Sequence, residues 1–207
     1  MKHLLTAFFI GSLFLSPSSG RAEKQGLFLA PGLGRTTTQL TNPDGTTATL
    51  FGPAFTGRLG YNFALSDDFT GQVNASYQYR DLTNAANSGV QKEFANQSGP
   101  GLGLGVSYSF FFLGADYFLI DAKHRSVGGI SRELELRVQS LSYSAGASVD
   151  FNVFQIEFGY SAGQAVIGKN QTGLSSDSNY SDSSFWIQFK VFPGDKAVTT
   201  GRREMPH

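Results

Sequence analysis

Apolar residues alternate with small or polar ones along much of this chain. From Leu102 to Phe110 every second residue is Leu, Val, Tyr or Phe, and the residues between them are Gly or Ser. A period of two predicts a β-strand with one apolar face. Because Gly and Ser are too small to cover a core, the pattern favours a strand whose apolar face meets lipid.

Eight segments of this kind occur, each bounded by turn-forming residues. The sixth is less regular, because the apolar phase set by Leu134 and Leu136 gives way to Leu141 and Tyr143. We interpret that change as a β-bulge near Gln139 and Ser140. The predicted strands are 26–38, 51–64, 70–80, 99–111, 113–124, 133–149, 153–162 and 184–192.

The connections between these segments alternate in length. Those at 65–68, 109–113 and 149–152 are short, and the link at 122–132 is intermediate; the long ones are 39–50, 81–97 and 164–183. Outer-membrane barrels combine short periplasmic turns with longer extracellular loops. We therefore predict an all-β transmembrane antiparallel up-and-down barrel of eight strands, with ten as the open alternative.

Outward-phase aromatic residues fall into two bands on this topology. Tyr61, Phe63, Tyr108 and Phe110 lie towards the short turns, and Tyr77, Tyr79 and Tyr160 lie towards the long loops. Outer-membrane barrels carry aromatic girdles at both interfaces. The two bands therefore support the predicted orientation.

The N-terminus has the features of a secretory signal. Residues 1–22 contain a basic start, an apolar stretch from Leu4 to Leu15 and the small-x-small site Gly20-Arg21-Ala22. This pattern predicts cleavage near Ala22. The expected organisation is a signal peptide (1–22), a barrel (23–192) and a short polar periplasmic tail (193–207).

Composition narrows the possible chemistry. The chain has no cysteine, and its 16 basic residues equal its 16 acidic ones. Thiolate metal sites and disulfides are therefore excluded, and no electrostatic attraction to nucleic acid is expected. Mean hydropathy is −0.15 and the apolar runs are short, so spanning by helices is not predicted. We expect no cofactor and no metal.

The inward phase is predicted to carry a charge network. An eight-stranded barrel is only wide enough for side chains, so opposite charges inside should pair and plug it. Glycines spaced by two from Gly99 to Gly105 would leave room for Arg58 or Arg80. The alternative is an interior that contains a narrow path for water or ions. The predicted network is Arg58, Arg80, Asp116, Glu135, Arg137, Glu157 and Lys190.

Two further groups of polar residues lie towards the long loops. Arg35, Lys123, Arg125 and Arg132 would form a rim that meets lipid phosphates. A tight turn at Gly128-Gly129 would pair His124 with Glu133 and Ser126 with Ser131. Ser126, His124 and Glu133 could then serve as nucleophile, base and orienting acid.

That trio resembles the lipid A deacylases of the outer membrane, which implies ester hydrolysis as an alternative activity. The likeness covers only these positions, and the pair in that family lies later in the chain and faces lipid. The preferred interpretation is a non-enzymatic polar hairpin in which His124 and Glu133 pair.

Over most of its length the chain resembles the OmpA-like and OmpX-like small outer-membrane barrels of Gram-negative bacteria. The likeness rests on the alternating strands, on Gly60-Tyr61-Asn62-Phe63 before a short turn, and on a last strand ending at Phe192. It implies a monomeric barrel acting in membrane integrity or adhesion, with lipid, lipopolysaccharide and the barrel-assembly machinery as partners. The ligand and the phenotype stay open.

A soluble periplasmic barrel that binds an apolar ligand is the second alternative. In such a protein the apolar phase would line a cavity and the Gly, Ser and Thr phase would face water. This alternative does not account for the alternating loop lengths.

Overall fold

The computed structural model describes residues 24–41, 47–84, 92–127, 132–151, 154–167 and 179–193. These residues form eight antiparallel strands, and each strand pairs with its neighbours in sequence. The strands are β1 (Gly26–Thr41), β2 (Thr47–Ala64), β3 (Phe69–Asn84), β4 (Lys92–Tyr108), β5 (Phe111–Val127), β6 (Arg132–Phe151), β7 (Phe154–Ile167) and β8 (Asn179–Val191).

The sheet closes because β8 pairs with β1. Following paired residues once around the barrel from Leu29 returns to β1 at Gln39, as expected when the strands tilt against the barrel axis. The predicted all-β, eight-stranded, up-and-down barrel is confirmed. The described residues contain no helix long and apolar enough to cross a membrane.

One end of the barrel carries the turns 65–68 and 109–110, and we call it the turn end. The first turn is held by the backbone N–H of Leu65, which donates to the carbonyl of Phe69 at 2.9 Å. The second has Ser109 at a φ of 55°. At the opposite end the strands extend into segments that were predicted as loops, since β3 reaches Asn84 and β4 begins at Lys92.

Residues on the outer face are apolar over most of the barrel, and we call this surface the belt. Leu102 and Leu104 keep 69% and 66% of their surface exposed. The soluble alternative is therefore contradicted, because the apolar phase faces outward and the polar phase is buried. Other large belt residues are Leu27, Leu29, Phe55, Leu59, Tyr61, Tyr77, Leu113, Tyr143, Tyr160 and Phe185.

The pattern inverts at the end opposite the turns, and we call that part the collar. Its buried inward residues are apolar, whereas the outer neighbours Asp81 and Asn96 are polar and exposed. Leu50, Leu82 and Ala95 form one buried cluster. The inward residues of the collar are Leu50, Leu82, Ala95, Ile120, Ala122 and Val138.

This inversion corrects the predicted bulge in β6. Its pairing with β5 runs without an inserted residue from Arg132 to Ala147, and its pairing with β7 runs likewise from Val138 to Phe151. Val138 is buried inside, and Leu141 is exposed outside. The apolar phase changes because the environment changes, while the register continues.

Candidate functional site: the barrel interior and the collar

Three ion pairs in the described part of the interior lie at successive levels. Nearest the turn end, the ammonium of Lys190 donates to Glu157 Oε1 at 3.0 Å and to Gln72 Oε1 at 2.8 Å. It also lies 4.4 Å from the ring centroid of Phe28, a cation–π distance. Lys190 is completely buried, so this level closes the barrel near the turns.

The middle level joins β2 to β5. Arg58 Nη2 donates to Asp116 Oδ2 at 2.9 Å, and the Arg58 guanidinium lies 5.5 Å from the ring centroid of Trp186. A Cβ on Gly103 would collide with the Asp116 carboxylate and the Asn74 amide. The glycine therefore leaves room for Asp116, and the prediction that it makes room for an arginine is wrong at this position.

The third level lies just below the collar. Arg80 pairs with Asp182, and both side chains are almost fully buried. The hydroxyl of Tyr180 donates to Gln97 Oε1 at 2.6 Å, which links β8 to β4 beside the pair. A pair with this little contact with water is costly to break, because removing one partner leaves the other charge unpaired.

The structure places five of the seven predicted network residues inside, namely Arg58, Arg80, Asp116, Glu157 and Lys190. Arg137 is a correction. It lies on the outer face of the collar with 79% of its side chain exposed and pairs there with Asp121 at 3.0 Å. The side chain of Glu135 is outside the described residues, although its backbone pairs with Lys123.

Asp182, the partner of Arg80, was not predicted. Its Asn-, Ser- and Asp-rich surroundings predict a loop, whereas the structure places Asp182 in β8. The signal that could have found it is the spacing of two from Asp182 through Ser184, Trp186, Gln188 and Lys190, all of which are buried.

The predicted phosphate rim is described only in part. Arg35 is exposed on the outer face, with its guanidinium 5.4 Å from the ring centroid of Phe51, and Lys123 is exposed on β5. The side chains of Arg125 and Arg132 are outside the described residues. Contact of this rim with lipid phosphate stays a prediction.

The register between β5 and β6 differs from the one predicted around the His-Ser-Glu trio. His124 pairs with Leu134, Glu133 pairs with Arg125, and Ser126 pairs with Arg132. The last pair between the two strands is Ser126 with Arg132, so five residues separate the paired ends. The predicted tight turn at Gly128-Gly129 requires an even number, which explains why the register differs from the predicted one. The side chains of the trio lie outside the described residues, and the predicted pairing of His124 with Glu133 is wrong.

Within the six described ranges, no group of three or more His, Cys, Asp or Glu side chains converges as metal ligands do. The buried carboxylates of Asp116, Glu157 and Asp182 are each paired with a cation instead.

Comparison with solved structures identifies the architecture. No protein family model and no curated protein matches the sequence. The crystal structure of Ail, the attachment invasion locus protein of Yersinia pestis, aligns over 81% of this chain and 99% of its own, with 15% identity and a TM-score of 0.52. The same protein in complex with the heparin analogue sucrose octasulfate aligns over 80% of this chain and 99% of its own, at 13% identity and a TM-score of 0.50.

Neisserial surface protein A covers 82% of this chain and 99% of its own, with 16% identity and a TM-score of 0.48. At these identities the likeness to Ail concerns the fold. The chain has the fold of the small eight-stranded outer-membrane barrels, the group to which the OmpA-like and OmpX-like proteins belong.

Proposed function

We propose that this protein is an integral outer-membrane barrel of a Gram-negative bacterium that acts in surface attachment through its collar and the adjoining connections. The main support for this proposal is that the outer face of the barrel is an apolar belt while its interior is filled by ion pairs. Large contiguous apolar surfaces on a folded protein mark membrane or partner contacts. A belt that encircles a closed barrel fits a bilayer, which surrounds the whole circumference.

The filled interior argues against a transport role. Within the described part of the interior, two spaces beside the ion pairs have volumes of about 20 Å³ and about 40 Å³. A single buried water needs roughly 10–15 Å³ of such space, so these cavities suit isolated waters rather than a solute path. The apolar side chains inside the collar add a second barrier above the ion pairs.

Attachment is the preferred role because the polar outer surface lies at the collar. Asp81, Asn96, Asp121 and Arg137 are exposed there, beyond the belt. The similar structure of Ail carries attachment and invasion in its name, which makes attachment the first role to test. A role in membrane integrity is the second candidate. It rests on two exposed cations, Arg35 in the belt beside Phe185 and Lys123 at the collar.

We further propose that the signal peptide is cleaved, that the barrel-assembly machinery inserts the barrel, and that the barrel is monomeric and has no enzymatic activity. Mass spectra of lipid A from cells with and without the protein test the proposed lack of enzymatic activity, since a deacylase would remove acyl chains.

The central experiment expresses the full chain in a Gram-negative host. We expect the protein in the outer-membrane fraction, resistant to carbonate washing and shifted on a gel when boiled. Cells carrying it should bind host cells or matrix more than cells carrying a variant whose connections 42–46, 85–91, 128–131 and 168–178 are replaced by short turns.

Control measurements separate the parts of the proposal. Planar bilayers containing the purified barrel should show no steady conductance, and a stable open channel would contradict the filled interior. Equal binding by both cell types would contradict the proposed role in attachment. Loss of the protein from the membrane fraction on carbonate washing would contradict the proposed integral membrane location.

A further inference from the structure

A groove of about 570 Å³ crosses the outer face of the barrel within the belt. Its floor is the outer face of β6, where two successive outward residues, Ala145 and Ala147, are small. Ala145 pairs with Leu113 on β5 and with Tyr160 on β7. Ala147 pairs in the same way with Phe111 and Phe158, so large side chains form a wall on each side.

From this groove we infer a binding site for one acyl chain of a phospholipid in the leaflet at the turn end. The inference rests on the proposed membrane location, because the groove is continuous with the belt. Its volume falls within the roughly 300–1,000 Å³ of ordinary ligand pockets, and its lining is almost entirely apolar.

The shape of the groove favours an acyl chain over a second copy of the protein. The wall of another barrel is convex, so it would rest on the exposed ridges formed by Leu113 and Tyr160. A flexible chain is slim enough to reach the alanine floor between them. Small residues in a membrane surface permit this kind of close approach.

The aromatic residues at the turn end orient the lipid. Tyr108 and Phe69 line that end of the groove, with their ring centroids 4.8 Å apart. Tyrosine favours the membrane interface, where its ring is buried and its hydroxyl meets polar groups. The headgroup therefore lies near Tyr108, and the acyl chain runs from there past the alanines.

The chain contains one tryptophan, and it reports on this groove. Trp186 lies inside the barrel, and a Cβ on Gly159 would be 3.0 Å from its ring. Gly159 stands between the groove residues Phe158 and Tyr160. A brominated acyl chain held in the groove would therefore lie just across the wall from the indole and quench its fluorescence.

The test uses the full-length protein in vesicles of phosphatidylethanolamine and phosphatidylglycerol with a small fraction of dibrominated chains. We expect quenching in excess of random contact, and its loss in A145L, which fills the floor. The matched control is A75L, because Ala75 also faces outward between two leucines, Leu59 and Leu102, but does not line the groove. A75L should quench like the natural protein.

Equal quenching in A145L and A75L would overturn the inference. Quenching that rises when the protein is diluted in lipid would also overturn it, because it would show that a second copy of the protein covers the groove. If A145L does not give the heat-dependent gel shift, A147V replaces it. Failure of the natural chain to enter vesicles would contradict the proposed membrane location instead, so the two failures are distinguishable.

Discussion

The belt and the collar are built from the same eight strands but follow opposite rules. In the belt, apolar side chains face outward and ion pairs fill the interior. In the collar, apolar side chains such as Leu82 and Ile120 face inward and charged side chains face outward. The strands cross this boundary without a change of register in β6. Which face of a strand is apolar therefore differs between the belt and the collar, while the backbone pairing stays the same.

The largest difference is expected between two ion pairs: Arg58–Asp116 is buried inside the barrel, and Arg137–Asp121 is exposed on the collar. Asp116→Ala leaves the Arg58 guanidinium buried and unpaired, and we expect a loss of about 3–5 kcal/mol in the free energy of unfolding. Asp121→Ala removes the exposed partner of Arg137 and should cost less than about 1 kcal/mol. Urea titration of the barrel in detergent micelles measures both, and equal losses would show that the interior is not shielded from water.

Two leucines give the second contrast. Leu82 is fully buried inside the collar, and Leu82→Ala should cost about 2–5 kcal/mol because it leaves a cavity. Leu102 is an exposed belt residue, so Leu102→Ala opens no cavity and should cost clearly less. The same titration decides the order, and a larger loss for Leu102 would contradict a packed interior in the collar.

Charge placed on the outer face gives the third contrast, within one strand. Leu102→Arg puts a cation in the belt and should cost about 2–4 kcal/mol in a bilayer. Asn96 lies on the same face of β4 at the collar, and Asn96→Arg should change stability little. Unfolding titrations in vesicles measure this pair, and a high cost at Asn96 would extend the membrane boundary into the collar.

The turn end is expected to show the smallest effect. Ser109 has a φ of 55°, and it is the first residue of a two-residue turn between β4 and β5. Glycine adopts this conformation without steric cost, so Ser109→Gly should raise stability by less than about 1 kcal/mol. Ser109→Val should lower it, and a gain from valine would be incompatible with the positive φ.

The sequence predicts the belt well and the collar poorly. The belt strands alternate large apolar residues with Gly, Ser and polar residues, so one assumption, apolar outward, suffices for Leu102 and its neighbours. Near Arg137 that assumption fails, because it predicts Leu136 and Val138 as outward residues and therefore Arg137 as an inward one. Val138 is in fact buried, and Arg137 is exposed.

The same inversion explains the shorter predicted strands. Exposed collar residues such as Asp81 and Asn96 are polar, so the segments around them lack the pattern of a lipid-facing strand and their sequence predicts loops. Asp182 was missed for this reason. Ion pairing between distant strands, such as Arg80 with Asp182, depends on closure of the barrel, so the sequence around either residue does not predict it.

The packing of Phe192 on Phe28 has a consequence for folding. Their ring centroids lie 6.2 Å apart inside the turn end, yet the residues stand near opposite ends of the chain. This contact can form only after β8 has met β1, so it belongs to the last step of a non-local and therefore slow process. Until that step the terminal aromatic ring is accessible to other proteins, and afterwards it is hidden. An accessible Phe192 thus distinguishes an unfinished barrel from a completed one.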